Sequence, residues 1–151
     1  MDGMELAVRE ARKALEEGEV PVGAVLMRGD RVLWSDHNRR EQLHDPAAHA
    51  EMLCLSGGAR ILGDWRLQDC TLYVTLEPCP MCAGALVMSR VGKCVYAAAD
   101  LEKGCCGSVY DLPADPALGA PCAWEETADP ALAAECRALL QSGFQQRRTD
   151  R

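Results

Sequence analysis

Two short apolar segments joined by a helical one constrain the fold of this chain more than any other feature of its sequence. Cys70–Thr75 and Lys93–Ala98 each contain valine and tyrosine, which favour β-strands. Between them, Cys79–Arg90 is apolar and is entered through prolines, which the first turn of a helix tolerates. Because two strands joined through a helix in one sheet run parallel, the sequence predicts a βαβ unit here.

The segments on either side of this unit add helices and a hairpin. Apolar residues from Met4 to Leu15 repeat at the spacing of one helical face, and Asp2 followed by Glu5 resembles a capping box. In chain order we predict a helix that runs to about Glu17, strands Pro21–Met27 and Arg31–Ser35 around a hairpin loop, a loop Asp36–Pro46, a helix Ala47–Ala59, a surface loop Asp111–Pro121 and a helix Ala131–Phe144. This order predicts an α/β fold, a three-layer α/β/α sandwich with a mixed central sheet.

Length and composition predict one globular domain over residues 1–151. The chain of 151 residues is 48% apolar and 26% charged, which provides for a core and an ordinary charged surface. No apolar run approaches the roughly 18–20 residues that cross a bilayer. Met1–Glu19 is charged throughout and lacks the features of a secretory signal, so we expect a cytoplasmic protein with no membrane segment.

The net charge limits how this chain could bind nucleic acid. Sixteen basic against 23 acidic residues give a net charge of −7, which excludes a generally basic surface. Any such binding must be local, and basic residues do gather near the C-terminus, at Arg147, Arg148 and Arg151.

The cysteine count favours reduced thiols. Nine cysteines cannot all pair with one another, and without an export signal a metal site is favoured over a disulfide framework. Seven of them lie mostly among apolar neighbours and are predicted to pack in the core: Cys54, Cys70, Cys94, Cys105, Cys106, Cys122 and Cys136.

One cluster of residues is typical of metal chemistry. Cys79 and Cys82 are three residues apart at the start of a predicted helix, so both project from one face, and His49 stands at the start of another. Two thiolates and an imidazole are zinc ligands, but a structural zinc site would have a fourth protein ligand. Cys54 cannot easily be that fourth ligand, because on the helix it is turned about 140° away from His49. Three ligands leave a position for water, whose pKa zinc lowers toward neutrality. Glu51, two residues from His49, would then serve as a proton shuttle.

Other interpretations of this cluster remain open. A Cys-x-x-Cys pair alone is more typical of a redox motif or of half a zinc ribbon, so a non-catalytic zinc or thiol-redox module is one alternative. The combination of His-x-Glu with Pro-Cys-x-x-Cys favours catalysis, because it is the signature of zinc-dependent nucleobase deaminases.

With these motifs the chain resembles the cytidine deaminase superfamily and, within it, the bacterial tRNA-specific adenosine deaminases. The similarity runs from about Glu19 to Leu112 and rests on Glu19–Val25, Asp45–Glu51, Thr71–Ala85, Ser89–Arg90, Lys103–Gly104 and Gly107–Ser108. The resemblance implies a cytidine deaminase-like fold, one zinc per subunit held by His49, Cys79 and Cys82, and Glu51 as the proton shuttle.

The resemblance also implies a substrate and a partner. Members of that family are homodimers that bind a tRNA anticodon stem-loop and convert the wobble adenosine to inosine. By resemblance, the substrate-binding residues are Asn38, Asp100, Phe144, Arg147 and Arg148. This chain has Ala99, Glu102 and Gly143 where the family commonly has basic or aromatic residues, so we expect RNA binding with a reduced salt dependence. A free-base or nucleoside deaminase, such as a guanine deaminase, shares the zinc motifs and is the main alternative.

Overall fold

The structure, a computed structural model, describes residues 2–119 and 122–149, and side chains up to residue 146. Its helices are α1 (Gly3–Glu16), α2 (Arg40–Leu43), α3 (Ala50–Leu62), α4 (Pro80–Met88) and α5 (Pro130–Thr149), with a 3-10 turn at Pro116–Leu118. Its strands are β1 (Gly23–Arg28), β2 (Arg31–His37), β3 (Cys70–Leu76), β4 (Lys93–Ala98) and β5 (Ala123–Glu126). No helix in this described part is long and apolar enough to span a membrane.

The strands form one mixed sheet in the order β2-β1-β3-β4-β5. β1 runs antiparallel to both β2 and β3, whereas β3 runs parallel to β4 with Leu72 opposite Cys94. The predicted βαβ unit and the predicted mixed sheet are therefore confirmed. β5 adds a second parallel pair next to β4.

Helices cover both faces of this sheet, because alternate residues of each strand point to opposite sides. Leu26 and Tyr96 belong to a core cluster with α3 and α4, whereas Val25 and Val95 belong to a second cluster with α1 and α5. The three-layer α/β/α sandwich is thus confirmed. All seven cysteines predicted in the core are buried.

Several boundaries differ from those predicted, and local hydrogen bonds explain the differences. The predicted loop Asp36–Pro46 contains α2, whose backbone N–H groups at Glu41 and Gln42 donate to the buried Glu19 carboxylate at 3.0 and 2.9 Å. The predicted helix Ala47–Ala59 begins instead at Ala50, because Asp45 accepts from the Ala47 N–H and holds a separate turn.

Two further differences lie in the second half of the chain. α4 ends at Met88, before the predicted Arg90, because Arg90 adopts the left-handed conformation with φ 59°. β5 is a short edge strand that carries two glutamates and has only Trp124 as a large apolar residue, so its sequence does not predict a strand.

Candidate metal centre

Three donor atoms converge at the N-terminal ends of α3 and α4. His49 Nδ1 lies 3.6 Å from Cys79 Sγ and 3.4 Å from Cys82 Sγ. The three atoms lie within 4.8 Å of one another, close enough to hold a single metal ion. The structure thus brings together the three predicted ligands from two separate helices.

The local sequence explains why these side chains face each other. His49 and Cys79 are the N-cap residues of α3 and α4 and have extended backbones, while Cys82 lies in the first turn of α4. Pro80 occupies the first position of α4, where its missing N–H costs nothing. Both helix N-termini therefore carry partial positive charge toward the same point, which favours thiolates there.

The electrostatics of the centre favour a bound cation. Hydrogen bonds from Cys82 and from His49 lower the pKa of the Cys79 thiol to about 4, despite its partial burial. Cys79 is therefore a thiolate at neutral pH, which is the form that binds metal.

The donor set fits zinc and leaves its coordination sphere open. Two sulfurs and one imidazole nitrogen are ligands that zinc prefers. Cys54 does not join them, because its thiol donates to the Ala24 carbonyl oxygen at 3.3 Å. The Cys105 thiol donates to the Lys103 carbonyl oxygen at 3.5 Å and is also outside the group. Within the described residues, three protein ligands are thus available, and a fourth position remains for water.

Glu51 lies in the first turn of α3, only 3% exposed, and faces the same cavity as His49 and Cys79. Burial raises the pKa of the Glu51 carboxyl above its ordinary value. Its carboxylate is not one of the three clustered donors. A buried carboxyl with a raised pKa beside a metal centre is suited to accept and return protons.

The cavity in front of these groups has a volume of about 130 Å³. Asn38 and Asp100, which the resemblance implies as substrate-binding residues, both line it. The Asn38 Oδ1 already accepts from the Arg40 N–H at 2.9 Å, so its NH₂ group is the part of the amide most available to a ligand. The Asp100 carboxylate accepts from the backbone N–H groups of Glu102 and Lys103 and therefore caps its own turn.

Of the three predicted C-terminal contacts, only Phe144 has a side chain within the described part of the chain, and it is not part of this cavity wall. Phe144 is half exposed on α5 and is not among the lining residues. Its neighbour Gly143 packs against Pro21, which lies between two valines of the cavity wall, and a Cβ at residue 143 would come within 2.6 Å of Pro21 Cδ. Arg147 and Arg148 belong to α5, but their side chains lie outside the described residues.

Two buried polar groups near the cavity were not singled out from the sequence. Glu77 is 1% exposed and lines the cavity, directly before the Pro-Cys motif. The sequence signal that could have identified Glu77 is a charged residue directly after a largely apolar strand.

His37 is the second group, and it immediately precedes Asn38. Its imidazole nitrogens lie 2.6 Å from Glu10 Oε2 and 2.7 Å from Glu17 Oε2, both on or next to α1. Burial alone would lower the pKa of His37, but its hydrogen bonds with Glu10 and Glu17 outweigh burial and raise that pKa above the ordinary value. The contact anchors the end of β2 to α1, and so fixes the segment that presents Asn38 to the cavity.

Known proteins share this sequence and architecture. The sequence model of the cytidine and deoxycytidylate deaminase zinc-binding region matches residues 1–98. The tRNA-specific adenosine deaminase of Bacillus subtilis is 44% identical over 145 residues, which cover 96% of this chain and 88% of that protein. The tRNA-specific adenosine deaminase of Aquifex aeolicus is 44% identical over 122 residues, 81% of each chain.

Solved structures of two deaminases are also similar to this chain. A structure from work on A-to-I editing by tRNA:A34 deaminases at the wobble position of transfer RNA superposes with a TM-score of 0.83 and 38% identity, over 89% of this chain and 97% of that one. Guanine deaminase from Bacillus subtilis superposes with a TM-score of 0.62 and 34% identity, over 66% of each chain.

Proposed function

This chain belongs to the cytidine and deoxycytidylate deaminase family, and we propose that it hydrolyses adenosine to inosine and ammonia at the wobble position of tRNA anticodons. The observation that carries the proposal is the buried Glu51 carboxyl beside three clustered zinc ligands at the wall of a cavity. Two relatives named as tRNA-specific adenosine deaminases, 44% identical over 96% and 81% of this chain, support adenosine in tRNA as the substrate.

The proposed chemistry assigns one role to each group. Held by His49, Cys79 and Cys82, zinc supplies the Lewis acidity that makes water a nucleophile near neutral pH. The Glu51 carboxylate accepts a proton from that water as the water oxygen bonds to C6 of the purine, and it delivers the proton to the ring nitrogen beside C6. Glu51 then transfers the second proton, from the hydroxyl now on C6, to the amino group. The C6–N bond breaks, ammonia leaves, and the oxygen on C6 becomes the carbonyl of inosine.

Substrate binding is proposed for residues around and beyond the cavity. The Asn38 NH₂ group can donate to an acceptor on the edge of a flipped base. We propose that Asp100, which lines the same cavity, contacts the sugar or backbone of the substrate. Phe144 offers an exposed aromatic face for stacking. We propose that Arg147 and Arg148 contact phosphate groups at the end of α5.

We further propose that residues 1–151 form one deaminase domain in the cytoplasm. The part of the chain beyond residue 98 adds β5 to the same sheet and α5 to the same face as α1, which supports one structural unit.

The active form is proposed to be a homodimer. α4 carries no charged residue, yet Met81 and Met88, seven residues apart on one helical face, are 37% and 76% exposed. Such an apolar helical surface beside the candidate site is typical of an interface. We expect sedimentation to give the mass of a dimer and Met88→Glu to shift it toward the monomer, and a monomeric parent chain would contradict the proposal.

A stem-loop assay tests the proposed substrate against the main alternative. We expect the protein to form inosine in a tRNA anticodon stem-loop and to release little ammonia from free guanine. Each missing phosphate contact removes about 0.7–0.9 from the slope of log affinity against log salt, so the slope should be shallower than that of a relative with the full basic set. Ammonia from guanine without inosine at low salt would establish the guanine deaminase alternative, although the guanine deaminase structure is less similar to this chain than the tRNA deaminase structure is.

A further inference from the structure

The Glu77 carboxylate, buried at the end of β3, receives four hydrogen bonds from one segment of the chain. Its Oε1 accepts from the Asp100 N–H at 3.1 Å and from the Ser108 hydroxyl. Its Oε2 accepts from the N–H groups of Cys106 and Ser108 at 3.0 and 3.1 Å. Among the described residues Glu77 has no ion-pair partner, so these donors alone compensate the buried charge.

The segment that supplies these donors, residues 100–108, follows β4 and packs directly on the carboxylate. A methyl group at Gly104 would overlap the Glu77 carboxylate and the Asp100 carbonyl oxygen. The Cys105 N–H also donates to the Pro78 carbonyl oxygen at 2.8 Å, and the Glu77 N–H to the Ala98 carbonyl oxygen at 2.8 Å. The 100–108 segment is thereby attached to the connection between β3 and α4.

This attachment determines one wall of the cavity. Asp100 and Lys103 both line the cavity. The Asp100 Oδ1 accepts from the Lys103 N–H at 3.1 Å, and the Asp100 N–H is in turn held by Glu77. The position of the Lys103 backbone, and with it this part of the cavity wall, therefore depends on Glu77 through Asp100.

We propose that Glu77 is a positioning residue that holds the 100–108 segment as the wall of the cavity and so determines how tightly the substrate binds. A carboxylate can satisfy all four donors because both of its oxygens only accept. The inference rests on the proposed function for the identity of its substrate, the anticodon stem-loop.

Glu77→Gln tests this role, with Glu102→Gln as a matched control. The amide that Glu77→Gln introduces presents one accepting oxygen and one donating NH₂ group, so at least one backbone N–H of the segment loses its acceptor. Glu102 is exposed in the same segment, so Glu102→Gln removes the same charge without touching this contact. Loss of a negative charge by itself would favour RNA binding and lower KM, whereas loss of the contact with residues 100–108 should raise KM.

We expect Glu77→Gln to raise KM for the stem-loop about tenfold, the loss expected from one charge-assisted hydrogen bond. kcat and zinc content should stay close to those of the parent chain, and backbone amides of residues 100–108 should exchange hydrogen faster. Glu102→Gln should not raise KM, and it should leave the exchange rates of residues 100–108 unchanged. Ser108→Ala, which removes one donor and keeps the Glu77 charge, should shift both measurements the same way by less.

The proposal is overturned if exchange in residues 100–108 or KM is the same for Glu77→Gln and Glu102→Gln. It is also overturned if Glu77→Gln loses zinc and kcat while KM is unchanged, because the effect would then act through Cys79. Hydrogen exchange needs no substrate. If the parent chain deaminates guanine instead of the stem-loop, the proposed function is wrong, but the role of Glu77 is still tested. KM of the variants is then compared with guanine as the substrate.

Discussion

Glu51→Gln is expected to lose deaminase activity by at least about 10²–10⁴-fold, the range typical of a general acid–base group, while each chain still binds one zinc. Gln is nearly the same shape as Glu, so it fills the same buried position in the first turn of α3. It cannot take a proton from water or return one to the base. The three metal ligands are unaltered, so elemental analysis should find zinc in the variant as in the parent chain.

An exposed carboxylate provides the control for this substitution. Glu16→Gln removes an equal charge from the surface of α1 and should leave turnover unchanged. A Glu51→Gln variant that bound zinc and kept near-full turnover would show that protons travel by another route, and the proposed mechanism would be wrong. Loss of zinc together with activity would instead mean that Glu51 supports the metal site.

The layer structure could be predicted from the sequence because hydrophobic patterns reflect burial directly. Cys70–Thr75 and Lys93–Ala98 are apolar on both faces, since helices cover both sides of the sheet, and their observed bounds agree with prediction to within one residue. β5 was missed because an edge strand needs only backbone pairing and keeps polar side chains such as Glu125 in solvent. α2 was missed for a related reason, because distant Glu19 supplies the acceptor for its first N–H groups.

In the site, too, the residues that belong to a local sequence motif could be predicted, whereas those that depend on distant partners could not. The approach of His49 to the two cysteines could be expected, because the metal ligands carry a recognisable motif at two helix starts. The roles of Glu77 and His37 could not, because each depends on partners far along the chain, such as Ser108 and Glu10. A single glutamate or histidine has no spacing pattern of its own, and only the folded chain reveals what surrounds it.

Cys82→Ala is expected to lose zinc, activity and thermal stability together. Cys82 is fully buried and lies 3.4 Å from His49, so the variant keeps only two of the three donors. A ligand that binds only the folded state stabilises it by about 2.7 kcal/mol when present at 100 times its Kd. For a domain of this size, that free energy corresponds to a fall in Tm of about 5–10 °C.

Cys136→Ala separates the loss of metal from the loss of a packed thiol. Cys136 is equally buried, but it lies in the second core cluster between α5 and the sheet, away from the metal ligands. It should keep zinc and activity and show only the modest Tm decrease of a removed core atom. Treatment of the parent chain with a chelator should lower its Tm to near that of Cys82→Ala, and Cys82→Ala itself should not respond to the chelator. If the Tm of the parent chain is the same with and without zinc, the metal contributes nothing to folding, and the starts of α3 and α4 are held in place by the packed core alone.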